Sequence, residues 1–256
     1  MILRRADFKD YGYLSELTDQ EGWNYTEEDF LMFDESGCAE TIVACEGGEI
    51  VGMVTLFDYG ETGWISNLLV SWKWRGKGIG GKLLSKALEL FKDKRTVSLF
   101  STKEATKIYA KAGFKRDREF SFVKFWGGKR GAAEIRKNQN VLSMDRRCFG
   151  YDRGGVLKVM MERGITLSPR RGDGFAILRP DPREPAVGPV VAEDKGAGMD
   201  LLYCGLSTLG AGTVSVLPSP NVEGVKEIYR VVRLYRGERP FTDYGKAFAL
   251  AGLEFG

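Results

Sequence analysis

The spacing of hydrophobic and polar positions predicts an α/β unit in residues 1–126. Short apolar runs with a period of two predict strands, and runs with a period near 3.6 predict helices. The predicted strands are Ile2–Asp7, Thr41–Glu46, Ile50–Phe57, Trp64–Val70, Thr96–Ser101 and Phe120–Trp126. The predicted helices are Phe8–Leu17, Thr26–Phe33, Gly81–Phe91 and Glu104–Ala112. Gly47 and Gly48 separate two predicted strands and indicate a hairpin.

The pattern changes after residue 126, where the stretch GGKRGAAEIRKNQN is rich in glycine, basic and polar residues. Such a composition is typical of a linker. We therefore predict a first domain at 1–126, a linker at 127–139 and a second domain at 140–256. In the second domain the predicted helices are Tyr151–Arg163, Met199–Leu206 and Val222–Val232, and the predicted strands are Gly174–Arg179, Val187–Ala192 and Thr213–Leu217.

The two predicted domains share three short similarities that occur in the same order. These are GIGGKLL from Gly78 with GAGMDLL from Gly196, TVSLF from Thr96 with TVSVL from Thr213, and KIYAKAGF around Tyr109 with EIYRVVRL around Tyr229. Each similarity alone is short enough to arise by chance. Because all three keep their order and each falls on the same kind of predicted element, they favour an internal duplication.

Composition narrows the class of protein. A hydrophobic fraction of 43% with 12% aromatic residues indicates a globular chain. The net charge of +3 is mild and does not call for a nucleic-acid or membrane partner. No long apolar span is present, so we expect neither a signal peptide nor a transmembrane helix. Cysteines 38, 45, 148 and 204 lack C-x-x-C spacing, which favours reduced thiols in a cytoplasmic protein.

The chain contains no histidine. This excludes histidine-based catalytic triads, histidine metal ligands and histidine general bases. Any proton transfer must therefore use carboxylates, tyrosine, cysteine, lysine or water. We expect no metal site.

The segment WKWRGKGIGGKLL, from Trp72 to Leu84, follows a predicted strand and leads into a predicted helix. Glycines let the backbone approach a ligand closely, and the first N–H groups of a helix bind anions. Leu83 stands where the phosphate loop of nucleotide hydrolases needs a hydroxyl. The dinucleotide fingerprint G-x-G-x-x-G fits literally, but the ribose-binding acid that should follow is missing. A glycine-rich helix start with solvated charges is the alternative.

The pattern R-x-x-G-x-G, formed by Arg75, Gly78 and Gly80 after the strand ISNLLV, resembles the acyl-CoA loop of the GNAT family of N-acetyltransferases. The resemblance implies an α/β fold with a mixed, mostly antiparallel sheet flanked by helices. It also implies acetyl-CoA as co-substrate, no metal, and a small-molecule amine or a peptide amine as acceptor. The implied CoA-binding residues are Leu68, Leu69, Val70, Arg75, Gly76, Lys77, Gly78, Ile79, Gly80, Gly81, Thr102 and Tyr109.

A second motif, A-x-x-x-Y-x-x-x-G-F, places Tyr109 on the helix after the next strand. In the GNAT family this tyrosine lies near the CoA sulfur, so the resemblance implies that Tyr109 protonates the leaving thiolate. The ordinary pKa of tyrosine, near 10, keeps that proton available at neutral pH. The alternative is a tyrosine that only packs on the sheet. The family often has asparagine seven residues earlier, where this chain has Thr102.

The segment before and within the second predicted helix indicates where the acceptor binds. The segment Asp19–Ser36 combines carboxylates with aromatic residues, which suits a cationic amine, and Glu21 is a weak candidate for the proton acceptor. An acidic helix start beside core aromatics is the alternative. Ser66 and Asn67 occupy the region in which some relatives carry a catalytic glutamate, so the general base stays unassigned.

The second domain has a changed loop, AEDKGAG, in which Glu193 replaces the arginine. Because a carboxylate repels a pyrophosphate, we predict a degenerate domain that does not bind CoA in the ordinary way. The stretches CFGYDRGGVL, GPVVAED and AGLEFG resemble the second domain of tandem-GNAT acetyltransferases of the YitH type. This resemblance implies a built-in pseudo-dimer that closes the acceptor cleft, in a monomer or homodimer.

Two other functions stay open. One is a non-catalytic acyl-CoA-binding sensor or scaffold, which would not need Tyr109. The other is nucleic-acid binding through the basic segment Lys129–Lys137, which lacks interleaved aromatic residues and is therefore disfavoured.

Overall fold

The computed structural model describes residues 1–135 and 140–256. Its strands are β1 Ile2–Arg5, β2 Ala39–Glu46, β3 Glu49–Tyr59, β4 Thr62–Val70, β5 Thr96–Ser101, β6 Lys115–Phe125, β7 Ala133–Ile135, β8 Ile165–Pro169, β9 Gly174–Arg179, β10 Ala186–Ala192, β11 Val214–Leu217, β12 Val225–Gly237 and β13 Ala247–Ala249. Its helices are α1 Tyr11–Asp19, α2 Glu27–Glu35, α3 Ile79–Leu90, α4 Thr106–Lys111, α5 Val141–Phe149, α6 Gly154–Arg163 and α7 Lys195–Leu209. No helix among these residues is long and apolar enough to cross a membrane.

The predicted α/β fold is confirmed, and the predicted hairpin joins β2 and β3. The predicted helix Val222–Val232 is wrong, because these residues belong largely to strand β12. EIYRVVRL is rich in β-branched and aromatic residues, and pairing with distant strands decides its conformation. Tyr229 therefore lies on a strand, whereas its supposed repeat partner Tyr109 lies on α4.

The linker region is partly structured. Residues 133–135 form β7, which pairs with β8. Residues 136–139 lie outside the described residues. They include the end of the predicted linker 127–139 and the last two residues of the basic segment Lys129–Lys137. Helix α5 begins at Val141, in a stretch for which the sequence pattern predicted no element.

All strands of the described chain join in one mixed sheet, in the order β1-β2-β3-β4-β5-β12-β6-β11-β10-β9-β8-β7, with β13 added beside β10. The two halves exchange strands in this sheet. β12, from the second half, pairs with both β5 and β6 of the first half. In return, β6 pairs with β11 of the second half. The halves therefore share one hydrogen-bonded sheet rather than meeting only through side chains.

A buried ion pair joins the two strands β6 and β12 that the halves exchange. Arg233 on β12 donates from its Nε to a carboxylate oxygen of Asp117 on β6 at 2.7 Å. Both side chains are almost fully buried, at 3% and 2% exposure. The remaining Arg233 nitrogens donate to Thr242 Oγ1 and to the Tyr244 hydroxyl, so each nitrogen of the buried cation forms a hydrogen bond.

The first half contains an opening in the sheet. β4 and β5 pair in parallel from Thr62–Thr96 to Ile65–Leu99, and no pairing continues beyond that point. A register shift against β3 follows at once, and Asn67 there has a positive φ of 48°. This irregularity bends β4 away from β5. One backbone edge of the last β4 residues is consequently left without a neighbouring strand.

The corresponding opening in the second half is filled by the chain itself. β10 and β11 pair only at Ala186–Val214. Strand β13 pairs antiparallel with β10, and the Leu250 N–H donates to the Val216 carbonyl on β11 at 2.9 Å. The segment around β13 therefore closes the gap between β10 and β11.

Candidate active site

The opening between β4 and β5 leads into a cavity of about 1000 Å³. Its walls come from both halves of the chain. The first half contributes the β4 bulge, the end of β5, the segment after α1, and Tyr109 on α4. The second half contributes residues that adjoin β9, β10, β12 and β13, among them Arg179, Glu184, Tyr229 and Glu254.

The glycine loop has the geometry of an anion site. Gly76 and Gly78 both have φ of +77°, a backbone conformation that favours glycine. Gly78 is the N-terminal residue before α3, and no side chain caps the helix. A Cβ atom added to Gly78 or Gly81 would have no neighbouring atom within 4 Å, so the space beside the start of the helix is open. The unpartnered N–H groups at the start of α3, at Ile79, Gly80 and Gly81, can therefore bind phosphate oxygens.

The two basic residues of the loop are held differently. Arg75 donates from its Nε to the Val70 carbonyl at 3.1 Å, which fixes the guanidinium beside the end of β4. Another of its nitrogens donates to a carboxylate oxygen of Glu21. The Lys77 ammonium lies 4.1 Å from the centre of the Trp74 ring. Both cations thus remain at the entrance of the loop.

The β4 residues Leu68, Leu69 and Val70 lie next to the opening. Leu69 and Val70 pair with Met53 and Gly52 of β3 on one side, whereas no strand pairs with them on the other. Leu68 lines the cavity. An extended ligand could add along this free edge as a strand would.

The polar side chains of the bulge residues Ser66 and Asn67 form hydrogen bonds with each other and with Thr55. The Ser66 hydroxyl donates to Asn67 Oδ1 at 3.0 Å, and Asn67 Nδ2 donates to Thr55 Oγ1 at 3.5 Å. Both side chains are buried. They shape the strand, and neither is an ionisable base.

Tyr109 lines the same cavity as Leu68 and the β5 end. Burial raises the pKa of its hydroxyl to about 12, so the group keeps its proton throughout the neutral range. Its ring packs edge-on against Phe114 with centroids 6.0 Å apart. Thr102, at the end of β5, also lines the cavity. The structure thus brings Leu68, Thr102 and Tyr109 to one site, with the loop at the end of the same strand.

The equivalent helix start in the second half is already occupied. The Asp194 carboxylate caps α7 and accepts from the Ala197 N–H at 2.9 Å. Glu193 pairs with Lys246 and Arg147. The Asp194 carboxylate thus caps the start of α7, whereas the corresponding N–H groups at the start of α3 have no side-chain cap.

Several cavity residues were missed by sequence reasoning. Glu184 and Glu254 belong to the second half. Glu184 lies in a segment with no motif, and Glu254 lies in AGLEFG, which indicated a family resemblance but no site residue. Tyr229 was noted only as a repeat partner; its ring stacks on Phe122 with centroids 4.8 Å apart. No local signal identifies these residues as part of the site, because contacts between the two halves bring them to the first half's opening. Glu21, by contrast, does line the cavity, beside Arg75.

The cysteines do not contribute a nucleophile to this site. All four are free thiols, in agreement with the sequence expectation. Burial raises the pKa of Cys38 and raises that of Cys148 to about 12, so both stay protonated at neutral pH.

An open strand edge that ends in an uncapped glycine loop, with a half-buried tyrosine on the cavity beside that edge, is the arrangement of an acyltransferase of the GNAT type. Comparison with known proteins agrees. Residues 9–114 match the acetyltransferase (GNAT) family, and residues 141–243 match an acetyltransferase (GNAT) domain. The chain belongs to the GNAT acetyltransferase family and has two such domains in tandem.

Individual relatives extend over both domains. The holothin acyltransferase of Pseudoalteromonas sp. (strain SANK 73390) is 26% identical over 276 residues, which cover 98% of this chain and 93% of that protein. A putative acetyltransferase from Pyrococcus horikoshii has the same fold, with a TM-score of 0.84 and 18% identity over 100% of this chain and 95% of its own. A GCN5-related N-acetyltransferase from Sphaerobacter thermophilus covers 94% and 97% with a TM-score of 0.61 and 14% identity.

Proposed function

We propose that this acyltransferase transfers the acetyl group of acetyl-CoA to the primary amine of a small molecule or peptide. The observation that supports this best is the single cavity that joins the free edge of β4, the Tyr109 hydroxyl and an acidic, aromatic wall. The amine would attack the thioester directly, without a covalent enzyme intermediate. We also expect the protein to act in the cytoplasm as a monomer or homodimer.

The donor fits the observed loop and strand edge. The N–H groups of Ile79, Gly80 and Gly81 would bind the pyrophosphate, with Arg75 and Lys77 adding charge. Leu68, Leu69 and Val70 would pair with the pantetheine amides, with Gly76, Gly78 and Thr102 beside them. When bound, acetyl-CoA supplies an activated thioester; a backbone N–H of the bulge would stabilise the oxyanion that forms from its carbonyl.

Tyr109 would give its hydroxyl proton to the thiolate that leaves. With its pKa raised to about 12, the hydroxyl is protonated at neutral pH, so a proton is present when the thioester reacts. Since a thiol has an ordinary pKa near 8.5, the proton transfer leaves a less stable phenolate. The amine nitrogen loses a proton in the same step and can restore the tyrosine, directly or through water.

The second half has a supporting role in this proposal. We keep the division into domains 1–126 and 140–256, with β6 and β12 exchanged between them. The Asp194 cap and the segment around β13 both stand where a second donor would bind, which supports one donor site per chain.

The test is a panel of amines with acetyl-CoA, followed by thiol release and by mass spectrometry of the product. Spermidine, tyramine, lysine ethyl ester and a peptide with a free N-terminus sample the relevant classes. We expect one class to be acetylated at the amine. If acetyl-CoA binds but no amine is acetylated, the protein is a sensor or scaffold and the proposal is wrong.

A further inference from the structure

We propose that Glu184, supplied by the second half, binds the ammonium group of the acceptor and accepts its proton. This inference rests on the proposed amine acceptor. It assigns the general base, which neither the motifs of the first half nor the bulge residues Ser66 and Asn67 provide.

The cavity wall has six carboxylates among the described residues: Glu21, Glu28, Asp29, Asp181, Glu184 and Glu254. Three of them are paired with arginines: Glu21 with Arg75, Glu28 with Arg163 at 3.2 Å, and Glu254 with Arg179 at 3.0 Å. A carboxylate whose charge is already matched by a guanidinium is a poor partner for a second cation. Glu21, whose partner Arg75 belongs to the proposed donor loop, is tested separately by Glu21→Gln.

Two further carboxylates hold the backbone. Asp29 closes the capping box of α2, where it accepts from the Thr26 N–H at 2.7 Å and the Thr26 hydroxyl at 2.9 Å. Asp181 accepts the N–H groups of Arg183 and Glu184 at 2.7 and 2.9 Å. Both are therefore engaged in local structure. Glu184 is the one cavity carboxylate of the described chain that forms no ion pair within 4.0 Å and no backbone hydrogen bond.

The loop that holds Glu184 is fixed against the acceptor side of the first half. Arg183 donates to the Tyr25 carbonyl at 3.1 Å and to Asp19 Oδ1 at 3.4 Å. Asp181 fixes the backbone of the loop from within, and Glu184 itself is half-buried. Asn24, on the segment after α1, lines the same cavity as Glu184. The loop that carries Glu184 is thus held by contacts with both halves.

The surroundings keep Glu184 more basic than an ordinary glutamate. Burial is the main cause that raises its pKa, and the negative charge of Glu254 adds to it. Lys124, Asn24 and Arg179 oppose the shift but do not cancel it. Tyr229 also faces this carboxylate from β12. A carboxylate with a raised pKa is better suited to accept a proton near neutral pH.

The proton balance is simple. The ammonium group gives one proton to Glu184, which later releases it to water. The neutral nitrogen then forms the new C–N bond, the C–S bond breaks, and the thiolate takes the Tyr109 proton. The second proton lost by nitrogen restores Tyr109. The net products are the amide, the thiol and one released proton.

The experiment compares wild type with Glu184→Gln, Glu184→Asp and the exposed control Glu223→Gln in the full chain. Each is assayed with the best cationic amine of the panel and with hydroxylamine, a small nucleophile that is neutral at pH 7. We expect Glu184→Gln to lower kcat/KM for the cationic amine by about 100-fold. With hydroxylamine its rate should stay within about threefold of wild type, because that nucleophile gives up no ammonium proton to a base. Glu184→Asp should be intermediate, and the control unchanged.

A pH profile separates a proton acceptor from a structural residue. Since the carboxylate must be ionised, wild-type kcat/KM should fall as the pH drops through a pKa above the usual glutamate value of about 4.3. Glu184→Gln should lose this acid limb. Full activity of Glu184→Gln with the cationic amine would overturn the inference while the proposed function stands. An equal loss with both nucleophiles would also overturn it, as would a wild type that neither binds nor acetylates any cationic amine.

Discussion

Arg75 of the glycine loop forms an ion pair with Glu21 of the segment after α1. Arg75 belongs to the proposed donor site, and Glu21 lines the cavity proposed for the acceptor. Both side chains are partly exposed, at 49% and 28%. Surface pairs of this kind contribute little stability, so the pair can open when a stronger anion binds. The contact therefore joins the two sites by a link that the donor can break.

Reversing the charge at Arg75 tests the donor loop. In Arg75→Glu a carboxylate faces the proposed pyrophosphate site and also repels Glu21, so we expect the KM for acetyl-CoA to rise at least about tenfold. The kcat should change much less, since Tyr109 is untouched. Tight binding of CoA by this variant, measured by calorimetry, would show that the loop is not the donor site.

Glu21→Gln tests the link itself. Removal of the carboxylate releases Arg75 from a competitor, and an exposed pair is worth about 0.2–1 kcal/mol. The KM for acetyl-CoA should therefore fall by up to about fivefold, with no gain at high salt, where the pair is already screened. Exposed Glu223→Gln is the matched control. A large loss of kcat in Glu21→Gln would instead favour Glu21 as the proton acceptor.

Tyr109→Phe tests the proposed general acid. Loss of the hydroxyl should lower kcat by about 100-fold and leave the KM for acetyl-CoA nearly unchanged. Because burial raises the Tyr109 pKa to about 12, wild-type activity should not decline through tyrosine ionisation until well above pH 10. Rates across pH 7–11 for both proteins provide the measurement. An unchanged kcat in Tyr109→Phe rules out the proton-donor role.

The second half should bind no donor. Calorimetry with CoA is expected to give one site per chain, because Asp194 and the β13 segment fill the second cleft. Two sites of similar affinity would contradict this interpretation.

Gly80 in GIGGKLL and Gly198 in GAGMDLL occupy matching positions. Alanine substitutions at these two glycines test, through the free energy of unfolding, whether the β13 segment packs closely in the second cleft. A Cβ at Gly198 would lie 2.1 Å from the Phe248 ring, whereas one at Gly80 would lie 3.6 Å from Val70. We expect Gly198→Ala to lower the free energy of unfolding by about 1–3 kcal/mol. Gly80→Ala should be neutral or raise it by up to about 1 kcal/mol, through helix propensity. Equal effects in urea denaturation would argue against close packing of the β13 segment on α7.

Local patterns predicted the first half well. A strand, a glycine loop and a helix are neighbours in the chain, so the spacing of Arg75, Gly78 and Gly80 determines their geometry directly. Tyr109 follows one strand later on a short helix, and its motif is equally local. These residues could be identified because their relative positions depend little on the rest of the fold.

β12 shows where such reasoning fails. EIYRVVRL fits helical and extended spacing almost equally well, and its hydrogen-bond partners on β5 and β6 lie far earlier in the chain. Pairing on both sides decides the strand, which no window of neighbouring residues can show.

The sequence by itself therefore determined the α/β class and the two tandem domains, and it supplied the candidate donor-side residues of the first half. Only the tertiary structure decided that the halves exchange β6 and β12, that the β13 segment fills the second cleft, and that Glu184 lines the cavity proposed for the acceptor. The physical reason is that these features rest on hydrogen bonds and burial between distant segments. Local spacing, by contrast, reports only on residues within a few turns of one another.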